Sequence, residues 1–280
     1  MYNQIYSCDS KKRGCAIIIM GKKKTTIKII VAAHKPYWMP KDDIYLPVHV
    51  GAEGKTDENG KPLDLGFIKD NMGENISLKN KNYCELTGLY WAWKNLDADY
   101  IGLAHYRRHF ANGKRFGDKK NRVIGERELR KRLNRTDVVL PKQRNYWIET
   151  NYSQYVHAHH AIDLDTTRII IQEKYPEYIE AYDTSMKQTK GHRFNMFIMK
   201  KVLFDSSCSW LFDILFELEA RLDISDYSDN DARVFGFVSE RLLDIWLETN
   251  KIDYKEMPYV FMEDQNWLIK GGNFLKRKFS

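Results

Sequence analysis

The sequence predicts one α/β domain with a central mixed sheet flanked by helices. Short apolar runs, typical of buried strands, alternate along the chain with longer stretches of helical periodicity. The first run, 27–33 (IKIIVAA), ends at the polar residues His34-Lys35-Pro36, and a first strand that ends in a polar loop is the usual opening of a nucleotide-binding α/β unit. Because no internal repeat or low-complexity linker divides the chain, we expect a single domain.

The first half of the chain is predicted to hold most of the strands. Ser77 and Asn80 are suited to cap a helix on which Leu86 and Leu89 recur at helical spacing. Pro141 ends the last strand of this half. In chain order we predict a strand over 27–33, a weaker strand over 45–50, a loop over 51–66, a helix over 77–96, a strand over 100–104, a basic loop over 112–121, a charged helix over 125–134 and a strand over 137–140.

The second half is predicted to be mainly helical. Pro176 ends its first helix. In order, we predict a polar, histidine-bearing segment over 151–163, a helix over 164–175, a strand over 194–199, an amphipathic helix over 204–222 and a segment over 233–250 that is helical in its second half. The main domain is expected over 26–265, with 1–25 as a leader or an extra edge element and 266–280 as a basic C-terminal tail.

Composition narrows the class of protein. Lys and Arg number 45 against 38 Asp and Glu, and the net charge of +7 suits anionic partners such as nucleotide phosphates, lipid head groups or nucleic acid. No apolar run approaches the roughly 18 residues of a transmembrane helix, so we expect a cytoplasmic protein. The motifs of P-loop ATPases, Rossmann dehydrogenases and α/β-hydrolases are absent. The four cysteines form no CxxC pair and are expected to be free thiols.

The end of the strand over 100–104 predicts an anion site. The strand leads into HYRRH, which brings His105, Arg107 and Arg108 within a few residues of each other. Arginine offers a planar, permanently charged fork to phosphate oxygens, and such groups stabilise a leaving diphosphate. The alternative is that these side chains turn into the core or pair with acids such as Glu85.

An Asp-x-Asp pair, Asp97 and Asp99, stands just before the same strand. Two carboxylates suit a hard divalent cation, and many nucleotide-sugar transferases hold such an ion with a pair that follows an apolar strand. Here the pair precedes the strand, in a position where Asp commonly forms a turn. The sequence therefore favours a turn at this position, and we assign no residue to a metal.

A histidine-bearing segment over 155–163 (YVHAHHAID) predicts a polar cluster for acceptor binding or catalysis. Its three His and one Asp are also zinc-ligand types, but their spacing matches no zinc motif.

Glu240 stands in RVFGFVSERLL, near the predicted beginning of a helix. A carboxylate beside a cleft can take a proton from an attacking hydroxyl. The alternative is that Glu240 interacts favourably with the helix dipole or pairs with Arg241.

Five segments of the chain together resemble a known family. In order they are KIIVAAHKPYWMP, NISLKNKNYCELTGLYWAWKN, YIGLAHYRRHF, FNMFIMKK and GFVSERLLDIWL, and they are similar to the bacterial DUF4422 family over roughly residues 26–260. Members of that family are described as capsular polysaccharide or O-antigen glycosyltransferases, some of them galactofuranosyltransferases.

The resemblance implies a GT-A-like fold, with a nucleotide-sugar donor at the carboxyl edge of the early strands. It implies Glu240 as the first candidate for the general base and Asp163 as the second. The implied donor-binding residues are Ala32, His34, Lys35, Asn80, Tyr83, Glu85, Trp91, His105, Arg107 and Arg108. The implied acceptor-binding residues are Tyr155, His157, His160, Asn195 and Met196.

The resemblance therefore implies transfer of a sugar, with galactofuranose as one candidate, from a UDP-sugar to a hydroxyl of a surface-polysaccharide acceptor that is lipid-linked. No cofactor is certain, and a divalent cation (Mn²⁺ or Mg²⁺) stays an alternative. The protein is then expected in the cytoplasm, without a nucleic-acid partner. Its basic tail either contacts the inner face of the cell membrane or is solvated.

A second hypothesis, from a different class, is a non-enzymatic protein that binds polyanions or nucleic acid. The positive net charge, the basic helix at Arg127–Arg135 and the abundant aromatic residues support it. Binding of a polyanion weakens steeply as salt rises, so salt dependence distinguishes the two hypotheses.

Overall fold

The computed structural model describes residues 24–264. The expected leader over 1–25, apart from its last two residues, and the expected tail over 266–280 lie outside the described residues. The strands are β1 (Ile27–Ala33), β2 (Tyr45–His49), β3 (Ile68–Lys69), β4 (Tyr100–His105), β5 (Arg108–Phe110), β6 (Val138–Pro141), β7 (Arg144–Asn145), β8 (Lys190–Gly191), β9 (Phe197–Lys200), β10 (Lys255–Met257) and β11 (Tyr259–Phe261). The α-helices are α1 (Asn80–Tyr83), α2 (Leu86–Asn95), α3 (Glu126–Leu133), α4 (Asn151–Val156), α5 (Ala161–Lys174), α6 (Ile179–Lys187), α7 (Lys201–Arg221) and α8 (Val234–Thr249).

The main sheet is mixed, as the sequence predicted. Its strands follow the order β10-β6-β9-β4-β1-β2-β3, and β5 and β11 are attached beyond the end of β4. Strand β1 is parallel to both β2 and β4, whereas β9 is antiparallel to its neighbours β4 and β6. Because β1, β2 and β4 are parallel, their carboxyl ends meet at one edge, where Ala32 is the register partner of His105.

Both faces of the sheet are covered, because successive side chains of a strand point to opposite faces. On β1, Ile30 and Ala32 belong to the larger apolar cluster, which also contains buried residues of α2, α5, α7 and α8. Ile29 and Val31 belong to a second cluster on the other face, together with Leu129 of α3. Burial on both faces explains why β1 reads as an almost continuous apolar run.

The helix predicted over 77–96 is interrupted at Cys84. A 3₁₀ turn (Ser77–Lys79) and α1 precede the break, and α2 follows it. Cys84 has a φ of 52° and a ψ of −129°, a strained conformation for a residue with a side chain. The Asn80 side chain stabilises the break, since its Nδ2 donates a 2.7 Å hydrogen bond to the carbonyl oxygen of Cys84. The break leaves Glu85 at the N-cap of α2, at the carboxyl edge of the sheet.

The strand predicted over 194–199 begins only at Phe197. Phe194 and Asn195 both have positive φ, of 78° and 53°, so they cannot continue an extended strand. Hydrogen bonds hold Asn195 in this loop: its Nδ2 donates to the Gly236 carbonyl at 3.1 Å, and its Oδ1 accepts from the Ser239 hydroxyl at 2.7 Å.

Helices α4 and α6 were not predicted as helices, and the other differences concern short or extended elements. Strands β5, β10 and β11 have three residues each, too few to show an alternating pattern in the sequence. The segment predicted over 233–250 is helical from Val234 onward, and α7 begins at Lys201 instead of at 204. Among residues 24–264, no helix combines the length and the apolar character needed to cross a lipid bilayer.

Candidate active site

A polar cavity of about 260 Å³ opens at the carboxyl edge of β1 and β4. In open α/β sheets this edge is the usual place for a ligand. Most of the lining side chains are polar or charged, and several come from the segments that follow β1, β4 and the break at Cys84. The cavity is lined by Ala32, His34, Val50, Asn80, Lys81, Cys84, Glu85, His105, Arg107 and Arg233.

The two histidines of the cavity are held in the neutral form. Burial and the charges of the nearby Arg108 and Arg107 together lower the pKa of His105 to about 2. Burial also lowers the pKa of His34, together with the charges of Lys35 and Arg107. Since both imidazoles are neutral at pH 7, the lasting positive charge of the cavity comes from Lys81, Arg107 and Arg233.

Arg107 makes an ion pair with Glu263 and a ring contact with Tyr106. Its Nη1 lies 3.7 Å from Oε2 of Glu263, and its guanidinium carbon lies 5.3 Å from the centroid of the Tyr106 ring. Its buried Nε has no hydrogen-bond partner among residues 24–264. A guanidinium that still has donor capacity and borders a cavity is suited to an anionic ligand.

Arg233 also lines the cavity, and its side chain contacts the strained Cys84. Its Nε donates a 3.2 Å hydrogen bond to Cys84 Sγ. Burial and the charge of Glu85 raise the pKa of the Cys84 thiol to about 11, against the opposing charge of Arg233. The thiol is therefore protonated at neutral pH and does not neutralise the charge of Arg233.

Two carboxylates accompany this positive charge. Glu85 lines the cavity, and burial raises its pKa; the hydrogen bond from Asn195 lowers it, and the charge of Glu240 raises it again. Glu240 lies on α8, where Nη1 of Arg241 is 3.6 Å from its Oε2 and Nη1 of Arg193 donates a 3.0 Å hydrogen bond to its backbone carbonyl. The Glu240 carboxylate is thus held in place while 20% of its side chain remains exposed.

Arg108 lies beside the carboxylates and does not line the cavity. Its guanidinium carbon is 4.1 Å from the centroid of the Phe194 ring. Burial lowers the pKa of Arg108, and the charges of Glu240 and Glu85 oppose that shift. The two arginines that the sequence analysis treated together therefore differ: Arg107 borders the cavity and Arg108 balances the acids beside it.

Six of the ten residues expected at the donor line this cavity: Ala32, His34, Asn80, Glu85, His105 and Arg107. Lys35 is exposed nearby, with its Nζ 5.5 Å from the Tyr106 ring centroid. Tyr83 and Trp91 instead lie in the core, 0% and 7% exposed. The Tyr83 hydroxyl donates to Oε2 of Glu219 at 3.1 Å, away from the cavity.

The acceptor residues expected in 155–163 do not form one surface. Tyr155 is fully buried, His157 pairs with Glu149 at 2.7 Å, and His160 stacks on the Tyr227 ring at 4.1 Å between centroids.

Asp163, the second candidate for the base, is buried below this segment. It accepts hydrogen bonds from the hydroxyls of Tyr155 (2.7 Å) and Tyr227 (2.6 Å), one on each carboxylate oxygen. Of the two acceptor residues expected near β9, Met196 is core and Asn195 contacts Glu85.

The Asp-x-Asp pair lies at the opposite edge of the sheet. Asp99 Oδ2 accepts hydrogen bonds from the backbone N–H and the hydroxyl of Thr26, at 2.7 and 2.9 Å, so it joins the amino ends of β1 and β4. In the part of the chain that the structure describes, no three His, Cys, Asp or Glu side chains gather at metal-binding distance.

Four lining residues, Val50, Lys81, Cys84 and Arg233, were not among the residues expected from the sequence. Cys84 and Arg233 lie in two of the segments discussed above, YCELTG and RVFGF. The amino-acid sequence of these segments does not predict a positive φ at Cys84, nor does it predict that positions 84 and 233 are in contact. Only the packing of α1 against α8 and against the 3₁₀ turn Asp231–Arg233 joins them.

One protein of known structure has a fold similar to that of this chain. A family model named DUF4422, described as a domain of unknown function, matches residues 28–251. No curated protein matches the sequence. Among solved structures, the apo structure of a bifunctional glycosyltransferase, WbbM, is similar with a TM-score of 0.78 and 30% sequence identity. That match covers 86% of this chain and 46% of the WbbM chain, so this chain spans less than half of that enzyme.

Proposed function

This chain belongs to the DUF4422 family, and on that premise we propose that it is a glycosyltransferase that moves a sugar from a UDP-sugar to a hydroxyl of a surface-polysaccharide acceptor. The likeness to the bifunctional glycosyltransferase WbbM, at 30% identity, supports glycosyl transfer in general. Galactofuranose as the sugar and a lipid-linked glycan as the acceptor are the finer parts of the proposal, and they rest on the family resemblance.

The observation that carries the proposal is the positive cavity at the carboxyl edge of β1 and β4. Arg107, Arg233 and Lys81 give it permanent positive charge, while burial keeps His34 and His105 neutral. A diphosphate has the charge and the acceptor oxygens that such a wall recognises. The Arg107 side chain retains donor capacity for such a ligand.

The proposed reaction needs a leaving group, a base and a nucleophile. The bond between the anomeric carbon and the diphosphate oxygen breaks, and its electron pair stays on the diphosphate, where Arg107 and Arg233 stabilise the negative charge. The acceptor hydroxyl oxygen forms the new bond to the anomeric carbon, and its proton passes to Glu240. Asp163 is less suited to this role because two tyrosine hydroxyls already occupy its oxygens.

We propose that arginine side chains neutralise the negative charge of the leaving diphosphate. The experiment below also tests whether a divalent cation takes part. The carboxylates near the cavity are Glu85 and Glu240; the Asp-x-Asp pair lies at the other edge of the sheet. If a cation took part, it would supply further positive charge to the leaving oxygens.

The first experiment is thermal unfolding of the full chain with free nucleotides and nucleotide sugars, each in EDTA or in Mn²⁺. A ligand that binds only the folded state raises the melting temperature, by an amount that grows with its concentration over its Kd. We expect selective stabilisation by UDP or a UDP-sugar, and its persistence in EDTA supports the arginine account. Absence of a response to every nucleotide contradicts the proposed donor class.

A further inference from the structure

A protruding loop follows β5. Residues 112–122 leave the sheet after Ala111 and return at Val123, and these two residues form an antiparallel bridge. The backbone N–H of Asn112 donates a 2.8 Å hydrogen bond to the carbonyl of Arg122, and its Nδ2 donates to the carbonyl of Asn121 at 3.0 Å. The base of the loop is therefore fixed, and its tip projects as a defined element.

An aromatic side chain stands alone at the tip of this loop. Phe116 is 90% exposed, the highest value for a large hydrophobic side chain among residues 24–264. Gly113 and Gly117 on either side have φ values of +92° and +94°, and a Cβ built on either would meet no atom within 4 Å. The tip therefore packs against nothing else in the described part of the chain, although removal of a phenylalanine side chain from water lowers the free energy.

The same loop is strongly basic. The only acid in 112–122 is Asp118, whose Oδ1 accepts a 3.0 Å hydrogen bond from the backbone N–H of Lys120 at the start of a 3₁₀ turn. The basic residues of the loop are Lys114, Arg115, Lys119, Lys120 and Arg122. Lys114 and Arg115 directly precede Phe116, so positive charge lies next to the exposed ring.

Hydrogen bonds connect the loop, through Met262, to Arg107 at the cavity. Lys119 Nζ lies 2.6 Å from Oδ1 of Asp264 and donates a 3.3 Å hydrogen bond to the carbonyl of Met262. The backbone N–H of Met262 in turn donates to the carbonyl of Arg107 at 2.9 Å. A surface that held the loop would therefore lie close to the cavity.

We propose that the loop 112–122 docks the protein on an anionic membrane surface, with Phe116 inserted at the level of the head groups and Lys114 and Arg115 on lipid phosphates. An exposed aromatic tip next to cations matches both parts of such a surface, the apolar boundary and the anionic head groups. A single-stranded nucleic acid is a poorer match, because it needs a basic groove with several stacking platforms, whereas this loop offers one ring on a projecting tip. The inference rests on the loop alone and does not depend on the proposed function.

The test is co-sedimentation of the full chain with vesicles of neutral phosphatidylcholine, or of phosphatidylcholine with phosphatidylglycerol, beside a parallel measurement of binding to single-stranded RNA. The informative variants are Phe116→Ser and the double variant Lys114→Gln/Arg115→Gln. The matched control is Val202→Ser, because Val202 is 65% exposed beside Lys200 and Lys201, at the opposite edge of the sheet.

We expect binding to the anionic vesicles that weakens with salt. Phe116→Ser should lower the partition coefficient by about tenfold or more. The double variant should lower it by at least about tenfold on anionic vesicles, and Val202→Ser should leave it unchanged. The proposal is overturned if the unmodified chain stays in the supernatant, if Phe116→Ser and Val202→Ser behave alike, or if the loop variants lose binding to single-stranded RNA but not to vesicles.

Discussion

Nδ2 of Asn195 donates a 2.9 Å hydrogen bond to Oε1 of Glu85, across 110 positions of sequence. The same amide also contacts the Gly236 carbonyl and the Ser239 hydroxyl. It thus joins the beginning of α2, the loop before β9 and the first turns of α8. These three segments carry Glu85, Asn195 and Glu240, so Asn195 holds the Glu85 carboxylate directly and fixes the turn of α8 that carries Glu240.

Replacement of Arg107 tests the leaving-group role. We expect Arg107→Ala to lower turnover by about 10²–10³, because removal of one preorganised donor to a developing negative charge costs about 3–4 kcal/mol. The melting temperature should change little, since the ion pair with Glu263 is long, at 3.7 Å, and its side chains are 39% and 42% exposed. Turnover with the best donor from the thermal panel is the measurement, and Arg127→Ala on the exposed face of α3 is the control. Equal turnover in the two variants removes Arg107 from the site.

Glu240→Gln separates donor binding from proton transfer. The amide keeps the shape of the side chain but cannot take a proton, so we expect transfer to fall by about 10²–10⁴. Stabilisation by UDP should persist. Glu248→Gln is the control, because Glu248 is exposed on the same helix. Normal transfer by the Glu240 variant assigns the base to another group.

Asp163→Asn tests the second candidate for the base. An amide cannot accept a hydrogen bond on its nitrogen, so one of the two tyrosine hydroxyls loses its acceptor. We expect a loss of about 1–3 kcal/mol in the free energy of unfolding. Transfer per folded molecule should stay normal, measured at a temperature where the variant is fully folded. A fall in transfer comparable to that of Glu240→Gln contradicts this structural role.

The pKa of Glu85 predicts a pH dependence of stability. Burial raises the pKa of this carboxyl above its ordinary value of 4.5, so the folded state binds its proton more tightly than the unfolded chain does. The stability that the Glu85 carboxyl contributes is complete below pH 4.5 and is lost as pH rises through the folded pKa. The total loss is about 1.4 kcal/mol for each pH unit by which the folded pKa exceeds the unfolded pKa. We therefore expect Glu85→Gln to raise the melting temperature at pH 7–8, and the gain to shrink as pH falls towards 4.5. Thermal unfolding of both proteins across this pH range is the measurement; a gain in melting temperature that does not vary with pH contradicts the prediction.

The sequence alone determined the α/β class and the location of the basic strand end. Strands β1 and β4 are buried on both faces, so their apolar runs are almost continuous, and the polar residues His34 and His105 mark their carboxyl ends. Since both strands are parallel, these ends meet at one edge. The apolar pattern of a strand and the polar residue that ends it are local properties, and local properties can be predicted from the amino-acid sequence.

Only the tertiary structure decided which other side chains reach that edge. Tyr83 and Trp91 stand within a few residues of Cys84 and Glu85, yet they pack in the core while Cys84 and Glu85 line the cavity. The positive φ of Cys84 turns the chain between α1 and α2 and so separates the two groups. Contacts with α8, more than a hundred residues away, surround that turn; long-range packing of this kind leaves no periodic signal in a sequence.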